Sequence, residues 1–200
     1  HTVIVPGVGG SDEHHWQSWL QNTIAHASRV EQEDWNKPIL NEWVEKLYQH
    51  IKPLEQPIQI VAHSFGCLTT IAALQEYPQL KHQIQSIILV APANPARFSA
   101  HGFATAEENF IEPFEHFQIN IPTLMIISEN DPWLSYTDAL HYAKKWNVPY
   151  INQGCAGHIN VASGFGAWPE LFDYMHAVQT QYDLIENQSF LNHRHFRFAI

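Results

Sequence analysis

The chain has 200 residues, enough for one domain, with 45% hydrophobic and only 15% charged residues; a typical soluble domain carries about 25% charged residues. Ten Lys and Arg against 20 Asp and Glu leave a formal charge of −10, which excludes a broad basic surface for nucleic acid or anionic lipid. Fourteen His, if all protonated, could carry the charge from −10 to +4, so net charge is unusually sensitive to pH.

Two cysteines, Cys67 and Cys155, provide neither a disulfide framework nor a thiolate metal site, and favour a reducing, cytoplasmic location. Apolar runs such as Ile87 to Ala93 fall far short of the roughly 18 residues a membrane span needs. No basic, then apolar, export signal opens the chain as given.

Taken in chain order, the apolar and β-branched runs Val3–Val5, Ile58–Ala62, Ile87–Ala91, Thr123–Ser128 and Pro149–Asn152 predict strands, with Arg29–Glu31 a weaker sixth. Helix-period patterns over 14–27, 39–52, 66–77, 136–146 and 168–182 alternate with them. Such alternation predicts an α/β fold with a mostly parallel sheet of five to six strands and helices on both faces. Between Ala91 and Thr123 the alternation lapses. Residues 93–118 carry five Phe interleaved with Glu107, Glu108, Glu112 and Glu115, and read either as a crossover helix or as a small lid. Residues 184–200 form a polar tail after a single domain over 1–183. Its role is open, and His193 with His195 is there a remote metal-binding option.

Chemistry concentrates where the strand Ile58–Ala62 runs through His63-Ser64-Phe65-Gly66 into a helix. A serine at the tip of a strand-turn-helix is exposed by strained backbone, and its neighbours two residues away must be small. Ala62 and Gly66 meet that requirement. The bland alternative is a helix-capping serine. A nucleophile on such a turn needs an acid and a histidine from later loops, in that order. Asp131 follows the Thr123–Ser128 strand, and His158 follows the last strand. Loops at the carboxyl ends of parallel strands converge, so His158 can serve as base to Ser64 with Asp131 fixing its tautomer.

Glu129 and Asp138 are weaker candidate acids. His63 should point away from the tip, Cys67 should be buried and inert, and Cys155 lacks a turn that would expose it. The loop Pro6-Gly7-Val8-Gly9-Gly10-Ser11 leaves the first strand at the same edge, and its glycines allow backbone amides close to a substrate. Val8 and Phe65 are the expected N–H donors to an oxyanion, and Gly7, His15, Trp16 and Trp133 are candidate pocket residues. Neither phosphate-binding glycine motif fits, and adjacent His14 and His15 cannot face one metal, so no metal or other cofactor is expected.

Five segments together resemble the small serine hydrolases of the retinoblastoma-binding-protein-nine type within the α/β-hydrolase superfamily. They are Pro6–Trp19 (P-G-x-G-G-S-x-x-x-H-W-Q-x-x-W), Asp34–Pro38 (D-W-x-x-P), Val61–Leu68 (V-A-H-S-x-G-C-L), Asn130–Pro132 and Gly157–Asn160 (G-H-I-N). The resemblance covers about 1–180. It implies a minimal α/β-hydrolase without a large cap, and a catalytic Ser64, Asp131 and His158. A serine hydrolase of small carboxylic esters or amides is therefore expected; an acyltransferase, or a protein-binding module on the same fold, is the alternative. Glu107 to Glu115 would favour cationic substrates, and no protein partner is indicated.

Overall fold

The computed structural model describes residues 1–105 and 108–195, with side chains described as far as 183. In chain order come β1 (Thr2–Val5), α1 (Trp16–Thr23), β2 (Ala27–Arg29), α2 (Leu40–Ile51), β3 (Ile58–His63) and α3 (Phe65–Glu76). There follow β4 (Ile84–Val90), β5 (Phe98–Ser99), β6 (Gly102–Phe103), α4 (Ile111–Glu115), β7 (Thr123–Ile127), α5 (Tyr136–Trp146), β8 (Tyr150–Asn152) and α6 (Leu171–His195). Six strands form one sheet in the order β2-β1-β3-β4-β7-β8, and every pairing in it is parallel. This is a small α/β-hydrolase fold.

Strand periodicity divides the core in two. Val3, Val5, Ile60, Ala62, Ile87, Leu89, Met125 and Ile127 point to one face, where Trp43 and Leu47 of α2, Ile71 of α3 and Trp146 of α5 cover them. Their neighbours Ile4, Val61, Ile88, Val90 and Ile126 point to the other, against Trp16 and Leu20 of α1 and Leu171 and Met175 of α6. Side chains alternate across a strand, so a run buried at every position needs helices on both sides.

Several boundaries differ from the sequence reading. α1 stops at Thr23 rather than 27, and β2 begins two residues earlier than expected. Pairing of Thr2 with Ala27 fixes that register. β4 starts at Ile84 because Ser86, a polar residue in an apolar run, is buried and accepts a hydrogen bond from Gln59 Nε2 at 2.8 Å. Segment 93–118 is not a long crossover helix. Pro95, Gly102 and Pro113 break it into a short turn, the antiparallel β5–β6 ribbon and the five-residue α4, with Phe98 and Phe114 buried. The backbone of α6 continues past 183 to His195; the side chains of His193 and His195 lie outside the described residues. Among the described residues no helix is long and apolar enough to cross a membrane.

Candidate active site

The turn from β3 into α3 holds Ser64 at φ 55°, ψ −123°. A non-glycine residue there is strained, and the strain persists because strand and helix overdetermine it. Gly66 is part of that constraint: a Cβ on it would collide with the backbone carbonyl oxygens of Val5 and Pro6. Gly66→Ala is expected to cost at least about 3 kcal/mol of stability, because backbone oxygens cannot step aside. Urea unfolding checks this, and wild-type stability would mean that β1 and α3 are not so tightly apposed.

His158 arrives from the loop after β8, between Gly157 (φ 57°) and the fully buried Ile159 (φ 47°). A β-branched residue at positive φ requires external restraint. Trp16 supplies it by donating its indole N–H to the Ile159 carbonyl at 2.8 Å. Nε2 of His158 lies 2.8 Å from Ser64 Oγ, and Nδ1 lies 2.9 Å from each oxygen of Asp131. The Asp131 and His158 side chains are 3% and 7% exposed, so this ion-pair-capable contact is sheltered from water. Asp131 Oδ1 also accepts the Trp133 backbone N–H at 2.8 Å.

The other candidate acids stand elsewhere. Glu129 accepts from Asn152 and Cys155, and Asp138 from Ser135 and Asn94. Cys67 is buried, with its thiol pushed well up by desolvation.

Opposite Ser64, the loop after β1 comes very close. A Cβ on Gly7 would lie 2.6 Å from Ser64 Cβ and 3.2 Å from the Phe65 nitrogen. Among the described residues, the N–H groups of Val8 and Phe65 have no partner, whereas Gly9 N–H is bonded to Trp35 O and Gly10 N–H to Gly7 O. Two free amides beside the serine form a pocket suited to a developing oxyanion.

A cavity of about 380 Å³ opens over Ser64, lined by Val8, Asp12, His15, Phe98, Trp133 and Asn160 with their neighbours. Two expected pocket residues do not line it. Gly7 is buried at the base of its own loop against the Ser64 turn, and Trp16 is in the core. His15 caps α1, and one step into the helix the next side chain has turned away from the cavity. Acidic residues 108–115 contribute nothing either: Glu115 is engaged by His141 at 2.7 Å and Lys145 at 3.1 Å, and Glu107 lies outside the described residues. Trp133 is held from segment 93–118 by Arg97, which lies 5.0 Å above its ring and donates to the Pro132 carbonyl at 2.7 Å.

Gln17 escaped the sequence reading. Fully buried, it donates to the carbonyls of Val5 and Val61 and accepts from Ser11 Oγ, tying the glycine loop to the strand ends. Only its place directly after His15-Trp16 hinted at it.

Three imidazoles stand in a row, His15 to His63 at 5.0 Å and His63 to His158 at 4.9 Å between ring centres. His63 donates from Nε2 to the backbone carbonyl of His158 at 2.9 Å, a supporting contact. Burial holds His63 well below the usual histidine range and lowers His15 to about 4. Both are neutral when folded, while the unfolded chain protonates them near 6.5. Stability is therefore present above that value and is lost as pH falls. For His15 the loss approaches about 3 kcal/mol at pH 4. Urea midpoints at pH 7 and 4 should converge in His15→Asn relative to wild type; an equal acid loss in both proteins contradicts the assignment.

Among the described residues no cluster of three or more His, Cys, Asp or Glu could hold a metal ion. The family model for serine hydrolases matches residues 2–177. YdeN of Bacillus subtilis, named as a candidate hydrolase, is 26% identical over 185 residues, covering 86% of this chain and 92% of its own. A YdeN-like candidate hydrolase from Pectobacterium atrosepticum superposes with a TM-score of 0.80 at 31% identity, over 90% of this chain and 91% of that one. Est1E from Butyrivibrio proteoclasticus, seen with ferulic acid, shares the fold at 14% identity and a TM-score of 0.61, over 94% of this chain and 89% of its own. With its six-stranded sheet and a family match that spans nearly its whole length, the chain belongs to the serine hydrolase family.

Proposed function

We propose that the protein hydrolyses small carboxylic esters or amides through an acyl-enzyme on Ser64. What supports this is the alignment of three groups: a strained Ser64 whose Oγ is 2.8 Å from His158 Nε2, with His158 Nδ1 2.9 Å from both Asp131 oxygens. His158 takes the Ser64 proton as Oγ attacks the carbonyl carbon, and returns it to the leaving oxygen or nitrogen. Water repeats the attack on the acyl-enzyme and releases the acid. Val8 and Phe65 donate their amides to the tetrahedral oxyanion, each contributing on the order of 10²- to 10³-fold in rate.

Residues 1–183 constitute the hydrolase unit, and the motif likeness to the retinoblastoma-binding-protein-nine type narrows the family reading. The cavity suits a short acyl and a short alcohol or amine component. A fluorophosphonate probe is expected to add once to the wild-type protein and not to Ser64→Ala, with a matching burst of p-nitrophenol from p-nitrophenyl acetate. Folded wild-type protein that takes up no probe would overturn the proposal.

A further inference from the structure

His15 is 5% exposed, and its Nδ1 accepts the Gln17 backbone N–H at 3.1 Å as the cap of α1. A ring nitrogen that accepts a hydrogen bond carries a lone pair, so a neutral His15 must hold its proton on Nε2. That Nε2 has no partner among the described residues, yet it is not sealed in protein, and His15 is one of the residues that line the cavity over Ser64. Neither His63, whose Nε2 is bound to the His158 carbonyl, nor His158 itself is available for the same task.

We propose that His15 is a specificity residue whose Nε2–H donates to an uncharged oxygen on the substrate, a second acceptor a few bonds from the scissile carbonyl. The carbonyl oxygen itself is matched by the Val8 and Phe65 amides, so the His15 proton is left for a separate atom. No Lys or Arg lines the cavity, and Asp12 stands at its rim. A carboxylate would therefore find no cation at neutral pH, while an ether, hydroxyl or second ester oxygen finds a donor that burial keeps neutral below the usual histidine range. Arg29 is nearby but occupied, with its three nitrogens bonded to Gln21, Ser11 and Ser18.

This inference deepens the hydrolase reading, and its test separates the two. Methoxyacetate replaces one methylene of butyrate by an ether oxygen, as 2-methoxyethyl does for butyl. Preference for ether over methylene is measured as kcat/KM on p-nitrophenyl methoxyacetate against p-nitrophenyl butyrate, and on 2-methoxyethyl butyrate against butyl butyrate. Both pairs are run in wild type and in His15→Asn, which keeps a helix-capping oxygen but loses Nε2–H. Intrinsic ester reactivity cancels between the two proteins. The wild type should favour the ether by about three- to tenfold more than the variant in one of the pairs, which also tells whether the acceptor sits on the acyl or the alcohol side. Equal preferences in both pairs overturn the assignment.

A binding measurement on Ser64→Ala does not depend on turnover. Methyl methoxyacetate or 2-methoxyethyl acetate should shift the His15 Nε2–H resonance, and butyl acetate should not. Nitrogen-15 shifts should place the proton on Nε2 from pH 8 to pH 5. A proton on Nδ1, or no response to either ether, overturns the role of His15 even if Ser64 proves active; an unlabelled Ser64 beside a responsive His15 overturns only the hydrolase reading.

Discussion

Ser64→Ala is expected to lower kcat by about 10⁴-fold or more on any ester the wild type cleaves, while leaving the protein folded. No other side chain can replace the nucleophile: Cys67 is buried on α3 with its thiol against the Val90 carbonyl, and Cys155 is bonded toward Glu129. Residual rate would come from the Val8 and Phe65 amides and from substrate positioning alone. His158→Ala should cost nearly as much, and the double variant little more than either single one, because the two side chains act as one unit joined at 2.8 Å. Stability should move the other way for a glycine. Ser64 sits at φ 55°, so Ser64→Gly relieves strain of about 1 kcal/mol or more and should raise the urea midpoint. A Ser64→Ala protein with more than a tenth of wild-type activity would remove Ser64 from the chemistry.

The sheet was legible because its central strands are nearly continuous apolar runs, interrupted by only a few polar residues such as Gln59 and Ser86, a pattern that only helices on both faces can satisfy. Ser64 directly follows β3, and Asp131 and His158 could be placed in the loops after β7 and β8, although β8 is a short edge strand with two of its three residues exposed. The irregular parts were not legible. In 93–118 the Phe spacing mimics an apolar helix stripe, but Phe98 and Phe103 meet across the β5–β6 ribbon, with ring centres 5.5 Å apart, and Phe114 enters the core separately. Long-range contacts decided that segment. His14, His15 and Trp16 are adjacent in sequence yet end exposed, facing the cavity and buried in the core respectively. Which becomes which depends on where the first turn of α1 begins, and its Nδ1 cap is visible only in three dimensions. Gln17 reads as a surface residue because its type normally is one. It is buried because two strand-end carbonyls, Val5 and Val61, need a donor where the sheet gives way to loops.

Asp131→Asn should reduce kcat/KM by about 10⁴-fold at neutral pH with the structure essentially intact. Hydrogen bonding around residue 131 dictates the mechanism of that loss. Oδ1 of Asp131 accepts the Trp133 backbone N–H at 2.8 Å, so an asparagine must keep its oxygen there and turn its NH₂ toward the position of Oδ2. That group faces His158 Nδ1 at 2.9 Å and can only donate to it. Nδ1 then becomes the acceptor, the proton moves to Nε2, and Nε2 can no longer take the proton of Ser64. Nitrogen-15 spectra should report this change of tautomer directly, and fluorophosphonate labelling of Ser64 should slow in parallel with ester hydrolysis. Asp138→Asn, at the first turn of α5 and hydrogen-bonded to Ser135, should leave both unchanged. An Asp131→Asn enzyme within tenfold of wild type, or one whose His158 keeps its Nδ1 proton, would show that the carboxylate neither sets the tautomer nor shelters the charge that develops on the ring.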